Sequence, residues 1–120
     1  MKIILAGDQS LFLEALQNLL AIRGYEVVSI SWNGGEALAK VREFKPDVLF
    51  MDIYMWKGDG QEVTRLIKVA IPECKVFLLT SVEDDKSLGE AVKNGASGYL
   101  LKSLRATELF DLLASLERGQ

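Results

Sequence analysis

Histidine is absent from this 120-residue chain, cysteine occurs once, at Cys74, and there are two prolines, Pro46 and Pro72. The first absence removes imidazole acid–base chemistry and histidine-bearing metal sites; the second removes any disulfide within the chain. Basic charge is also short: 14 Lys and Arg stand against 17 Asp and Glu, a net charge of −3, which gives no field for gripping a nucleic-acid backbone directly. No apolar run approaches the roughly 20 residues needed to span a bilayer. Met1-Lys2 leads straight into a short strand-like run without the features of a secretory signal, so a cytoplasmic location is expected. What remains is carboxylate, hydroxyl and lysine chemistry on a chain that is 49% apolar and long enough to bury the core of one domain.

Two periodicities alternate along it. Strand-like apolar runs fall near 2–6, 27–31, 47–52, 75–80 and 97–101, separated by stretches with helical spacing. In the first helix, Phe12, Ala15, Leu16 and Leu19 are spaced to share one buried face, and Gly24 supplies a stop. Asn33 reads as the N-cap of a second helix that must end near Lys45 because Pro46 follows. A third helix is expected from about Gly60 to Ala70, and a fourth from about Asp84 to Asn94, stopped by Gly95. A last one over 104–118 carries Leu109, Leu112, Leu113 and Leu116. Val48-Leu49-Phe50-Met51 and Val76-Phe77-Leu78-Leu79 are apolar on both faces, as befits central parallel strands covered on each side. The fold class is therefore α/β: a single doubly wound, flavodoxin-like (βα)5 domain. Cys74, just after Pro72, is expected only to pack.

Asp8, Asp52, Thr80 and Lys102 each sit at or just past the end of one of these apolar runs. In an open parallel α/β sheet, the C-terminal strand ends share the edge where ligands bind. If the strand order is 2-1-3-4-5, Asp8 and Asp52 lie side by side at its crevice. Two carboxylates, a hydroxyl and an ammonium there suit a phosphate-and-metal site. Taken alone, Asp8 reads as a helix cap, Asp52 as a loop acid, Thr80 as a strand-end cap and Lys102 as a solvated lysine; their joint placement argues otherwise.

The segments Asn33-Gly34-Gly35-Glu36-Ala37-Leu38, Pro46-Asp47-Val48-Leu49-Phe50-Met51-Asp52, Asp59-Gly60, Leu79-Thr80 and Gly95-Ala96-Ser97-Gly98-Tyr99-Leu100-Leu101-Lys102 follow one another in a characteristic order and spacing. By these segments the whole chain resembles the receiver domain of two-component response regulators. Leu11-Phe12 and Gly98 to Ser103 are most similar to the subfamily with a LuxR-type helix-turn-helix output. The resemblance implies Asp52 as phosphoacceptor from a histidine kinase or a small-molecule donor. It implies Mg²⁺ held by Asp8, Asp52 and the backbone carbonyl of Tyr54, with Lys102 and Thr80 on the phosphoryl oxygens. Thr80 and Tyr99 would form the switch, altering the face of the fourth helix, fifth strand and fifth helix used for homodimerisation or contact with an output domain. Beyond slow self-phosphorylation and dephosphorylation, no enzyme activity is implied.

Residues 1–118 are read as the receiver and 119–120 as the start of a linker to a DNA-binding domain outside this chain. Three positions depart from the family pattern. Gly7 stands where receivers carry the first of two acids; if that acid acts on the metal mostly through water, its absence resembles a loss of about 10–100-fold in metal affinity. Trp56 replaces the proline that usually follows Met55, and Ser81 a usual alanine. Gly7 and Trp56 support an alternative, an atypical receiver acting as a phosphorylation-independent interaction or dimerisation module. A small flavodoxin-like or hydrolase-like enzyme is a weaker rival, because neither a Gly-x-Ser-x-Gly elbow nor a phosphate loop follows the first strand.

Overall fold

A computed structural model describes residues 1–55, 58–81 and 85–119. Strands β1 (Lys2–Ala6), β2 (Glu26–Ser31), β3 (Val48–Asp52), β6 (Lys75–Thr80) and β7 (Gly98–Leu101) form one parallel sheet of order β2-β1-β3-β6-β7. Leaving aside two short strands, β4 (Tyr54–Met55) and β5 (Gly58–Asp59), this is the expected order 2-1-3-4-5. The short pair makes a separate antiparallel ribbon just after β3, where the sequence pattern indicates only loop. Helices α1 (Ser10–Ile22), α2 (Gly34–Phe44), α3 (Gly60–Ala70), α4 (Asp85–Lys93) and α5 (Ala106–Glu117) alternate with the main strands.

Strand pleating explains why both faces of the sheet are covered. Successive side chains point to opposite sides. Accordingly Ile4, Ala6, Leu49, Met51, Val76 and Leu78 pack with Ala37, Val41, Val63, Ile67 and Ala91 of α2, α3 and α4. Their alternates Ile3, Leu5, Val48, Phe50, Phe77 and Leu79 pack with Leu13, Leu16 and Leu20 of α1 and Leu109, Phe110 and Leu113 of α5. Every residue of β3 is buried, as its unbroken apolar run required. Cutting any of these large side chains back to alanine removes roughly 2–5 kcal/mol.

Helix ends follow local chemistry. The Asn33 side chain accepts a hydrogen bond from the Glu36 N–H at 2.9 Å, and α2 stops at Phe44 with Lys45 left-handed before Pro46. Gly24, at φ 81°, lets the Tyr25 N–H reach back to the Leu20 carbonyl and the Gly24 N–H to that of Ala21, a Schellman close; Gly95, at φ 95°, ends α4 in the same way. One expectation fails. The seam of α1 is Leu13, Leu16 and Leu20, with Phe12 and Leu19 half-buried on its flank and Ala15 exposed. This helix is apolar around most of its circumference, so spacing alone does not choose between seams one residue apart.

Gly60 opens α3 against the end of β3. Its N–H donates to the Ile53 carbonyl at 3.0 Å, and a Cβ there would lie 2.7 Å from the backbone oxygens of both Asp52 and Ile53. Backbone cannot yield as a side-chain tip does. Replacing Gly60 by alanine should therefore cost about 1–3 kcal/mol in urea denaturation, whereas Gly89→Ala, with open space around it on α4, should gain up to about 1 kcal/mol.

Cys74 is fully buried in the α2–α3–α4 layer, and burial pushes its thiol from the ordinary 9.0 up to about 11. The folded protein thus holds this proton more tightly than the unfolded chain. The resulting stability is complete below pH 9 and is lost as pH climbs through about 11. Melting curves from pH 8 to 11 should show the wild-type protein losing stability faster than Cys74→Ala, and the native thiol should resist alkylation at pH 8.

Candidate functional site

Register brings the site together. Ala6 pairs with Met51 across β1 and β3, so one further step sets Gly7 beside Asp52. Asp52 pairs with Leu79, and Thr80 with Leu101, so Thr80 and Lys102 each extend one position past those partners. Asp8, Gln9, Asp52, Ile53, Leu79, Thr80, Ser81 and Lys102 line one cavity of about 260 Å³ at the C-terminal edge of the sheet. All four side chains singled out in the sequence meet there. Asp8 is exposed and leaves helix capping to Gln9, whose side chain makes no cap hydrogen bond. Ser81 is exposed yet reaches the same cavity.

Asp52 is the buried member, with 2% of its surface exposed. Lys102 Nζ stands 2.8 Å from its Oδ1 as an ion pair, and neither carboxylate oxygen has a side-chain or backbone partner of regular hydrogen-bond geometry. Burial pushes the Asp52 carboxyl above the ordinary aspartate range. The Lys102 ammonium pulls the other way without winning; the Asp8 carboxylate adds to the rise, and the Asp8 backbone N–H opposes it. A buried carboxyl in a cleft, desolvated this far and only partly compensated, marks this edge as a candidate functional site.

Lys102 is aimed by its surroundings. Its ammonium donates to Gln9 Oε1 and lies 5.3 Å from the centre of the Phe12 ring, while its backbone N–H donates to the Thr80 carbonyl at 2.8 Å. Gln9 and Phe12 were not identified from the sequence as part of the site. Their position in the first turn after Asp8, at the same sheet edge, is the signal that points to them. Tyr99 is half-buried on β7 against the α2–α3–α4 layer, next to Leu78 in register.

The donor set bears on a metal. Among the described residues no three His, Cys, Asp or Glu side chains are grouped so that they could hold a metal ion. Two carboxylates facing one cavity, one of them buried and undercompensated, nevertheless suit Mg²⁺, which takes one or two carboxylates and keeps several waters. The Tyr54 backbone lies in β4, paired with Asp59, immediately beyond the end of β3. Trp56 lies outside the described residues. No helix among those described is long and apolar enough to cross a membrane.

Residues 3–114 match the family model described as response regulator receiver domain. The transcriptional regulatory protein LnrK of Bacillus subtilis is 39% identical over 119 residues, covering 98% of this chain and 54% of its own length. The response regulator protein VraR of Staphylococcus aureus is 34% identical over 120 residues, 99% of this chain and 57% of its own. The chain thus spans about half the length of the curated relatives it matches. A LuxR-family two-component response regulator from an Aurantimonas species superposes with a TM-score of 0.91 at 30% identity, over 99% of this chain and 86% of that one. A LuxR-family DNA-binding response regulator from Staphylococcus aureus gives a TM-score of 0.88 at 28% identity, over 95% and 96%. Fold, order of segments and relatives agree: the chain belongs to the response regulator receiver domains, regulatory modules of two-component systems, and both of these solved structures are of LuxR-family regulators.

Proposed function

We propose that Asp52 is the phosphoacceptor of this receiver. The supporting observation is its buried carboxylate, 2.8 Å from Lys102 Nζ in a cavity shared with Asp8 and Thr80. In the transfer, an Asp52 oxygen attacks phosphorus, forming an acyl phosphate as the bond to a kinase phosphohistidine or to a small-molecule donor breaks. A carboxylate is a weak nucleophile, and the approaching phosphoryl oxygens repel it. Asp8, Asp52 and the Tyr54 carbonyl would hold Mg²⁺, which screens that repulsion when bound. Lys102, already oriented by Gln9 and Phe12, offers a fixed positive charge to one phosphoryl oxygen. The Thr80 hydroxyl donates to another.

Signal leaves through the β6–β7 pair. Thr80 pairs with Leu101 and Leu78 with Tyr99, so a shift of Thr80 toward a new phosphoryl group acts on the strand that carries Tyr99. The surface of α4, β7 and α5 would then change its fit for a second copy of the chain, or for a DNA-binding output domain joined through a linker beginning at 119. About 5.5 kcal/mol of differential stability carries such a switch from 1:99 to 99:1.

Incubation with acetyl phosphate and Mg²⁺ should add one phosphoryl mass, seen by intact-protein mass spectrometry. The adduct should disappear in Asp52→Asn and with excess EDTA, and its yield should fall at least tenfold in Lys102→Met. An adduct that survives Asp52→Asn contradicts the assignment, and none from any donor favours the phosphorylation-independent module.

A further inference from the structure

Gly7 is buried at the end of β1, and its φ is not in the left-handed region, which among the described glycines holds only Gly24, Gly95 and Gly119. Backbone conformation therefore does not require glycine here. Space does. A Cβ on residue 7 would lie 2.7 Å from Asp52 Cγ and closer still to Oδ2. The Gly7 N–H is tied to the Ser31 carbonyl at 3.0 Å, so the strand is pinned on its other side. Of the two partners in that contact, only the Asp52 side chain is free to give way.

We propose, resting on the reading of Asp52 as acceptor, that Gly7 is a positioning residue: by lacking a side chain it lets the Asp52 carboxylate lie back against β1, paired with Lys102, so that a divalent cation must draw it forward before ligating it. The missing acid at position 7 then has two separate effects. One is lost charge near the metal. The other is a volume, left empty by glycine, that the acceptor itself fills. Any β-carbon at position 7 forces the carboxylate out of that volume toward the cavity and Asp8, whether or not the new side chain is charged.

This separates volume from charge experimentally. Gly7→Ala adds a methyl group and no charge. A protein whose ligating conformation is a minor one binds with an apparent Kd raised by the reciprocal of that fraction, so removing the laid-back conformation should tighten Mg²⁺ binding roughly three- to tenfold. Mg²⁺ titration of the whole chain, followed by amide NMR shifts at Asp8 and Ile53, measures it; the Lys102 ammonium resonance should also move before any metal is added. An affinity that is unchanged or weaker overturns the proposal.

If Gly7→Ala does not fold, the double variant with Asp52→Ala decides. Removing the carboxylate should make room for the methyl group and restore cooperative melting; failure to do so also overturns the proposal. Neither measurement requires phosphoryl transfer. The acetyl phosphate adduct on the unaltered protein therefore tests the acceptor reading independently.

Discussion

A carboxylate taken almost wholly out of water at the end of the central strand is the constraint around which this domain is organised. Desolvating one such anion costs several kcal/mol, and a single ammonium does not fully repay it. The site tolerates Asp52 because Lys102 arrives from a strand two places away in the sheet, and Lys102 arrives correctly aimed because Gln9 and Phe12 at the start of α1 hold its tip. Asp52, Lys102 and the Gln9–Phe12 pair each come from a different βα unit. The doubly wound order, with its reversal between β1 and β3, is what lets them share an edge.

Most of the frame was legible in the sequence because the strands that matter are covered on both faces and therefore read as unbroken apolar runs. Helix boundaries were legible where one residue satisfies a specific local requirement, as Asn33 does in capping α2, Lys45 in turning before Pro46, and Gly24 and Gly95 in taking left-handed φ. The face of α1 was not. Leu11, Phe12, Leu13, Leu16, Leu19, Leu20 and Ile22 surround most of that helix, and only packing against the sheet and α5 selects Leu13, Leu16 and Leu20. The β4–β5 ribbon escaped because two-residue strands carry no periodicity.

The site shows the same division. Asp8, Asp52, Thr80 and Lys102 were found because each punctuates an apolar run. Gln9 and Phe12 act through tertiary contact alone. Gly7 was legible as a missing acid and not as a space, since sequence does not say which atom approaches a glycine; here it is the Asp52 carboxyl. Gly60 is the complementary case, where absence of a side chain admits backbone and fixes where β3 ends.

Strand register also links the chemistry to a surface. The Lys102 N–H donates to the Thr80 carbonyl one residue past the end of β7, the strand that carries Tyr99, so backbone hydrogen bonding and register connect the site edge to Tyr99. Adding Mg²⁺ and beryllofluoride to ¹⁵N-labelled protein tests the convergence most directly. The account predicts that the amides of Asp8, Asp52, Thr80, Tyr99 and Lys102 shift together with one saturation curve. Shifts confined to exposed acids away from this edge, or none at saturating concentrations, would contradict it.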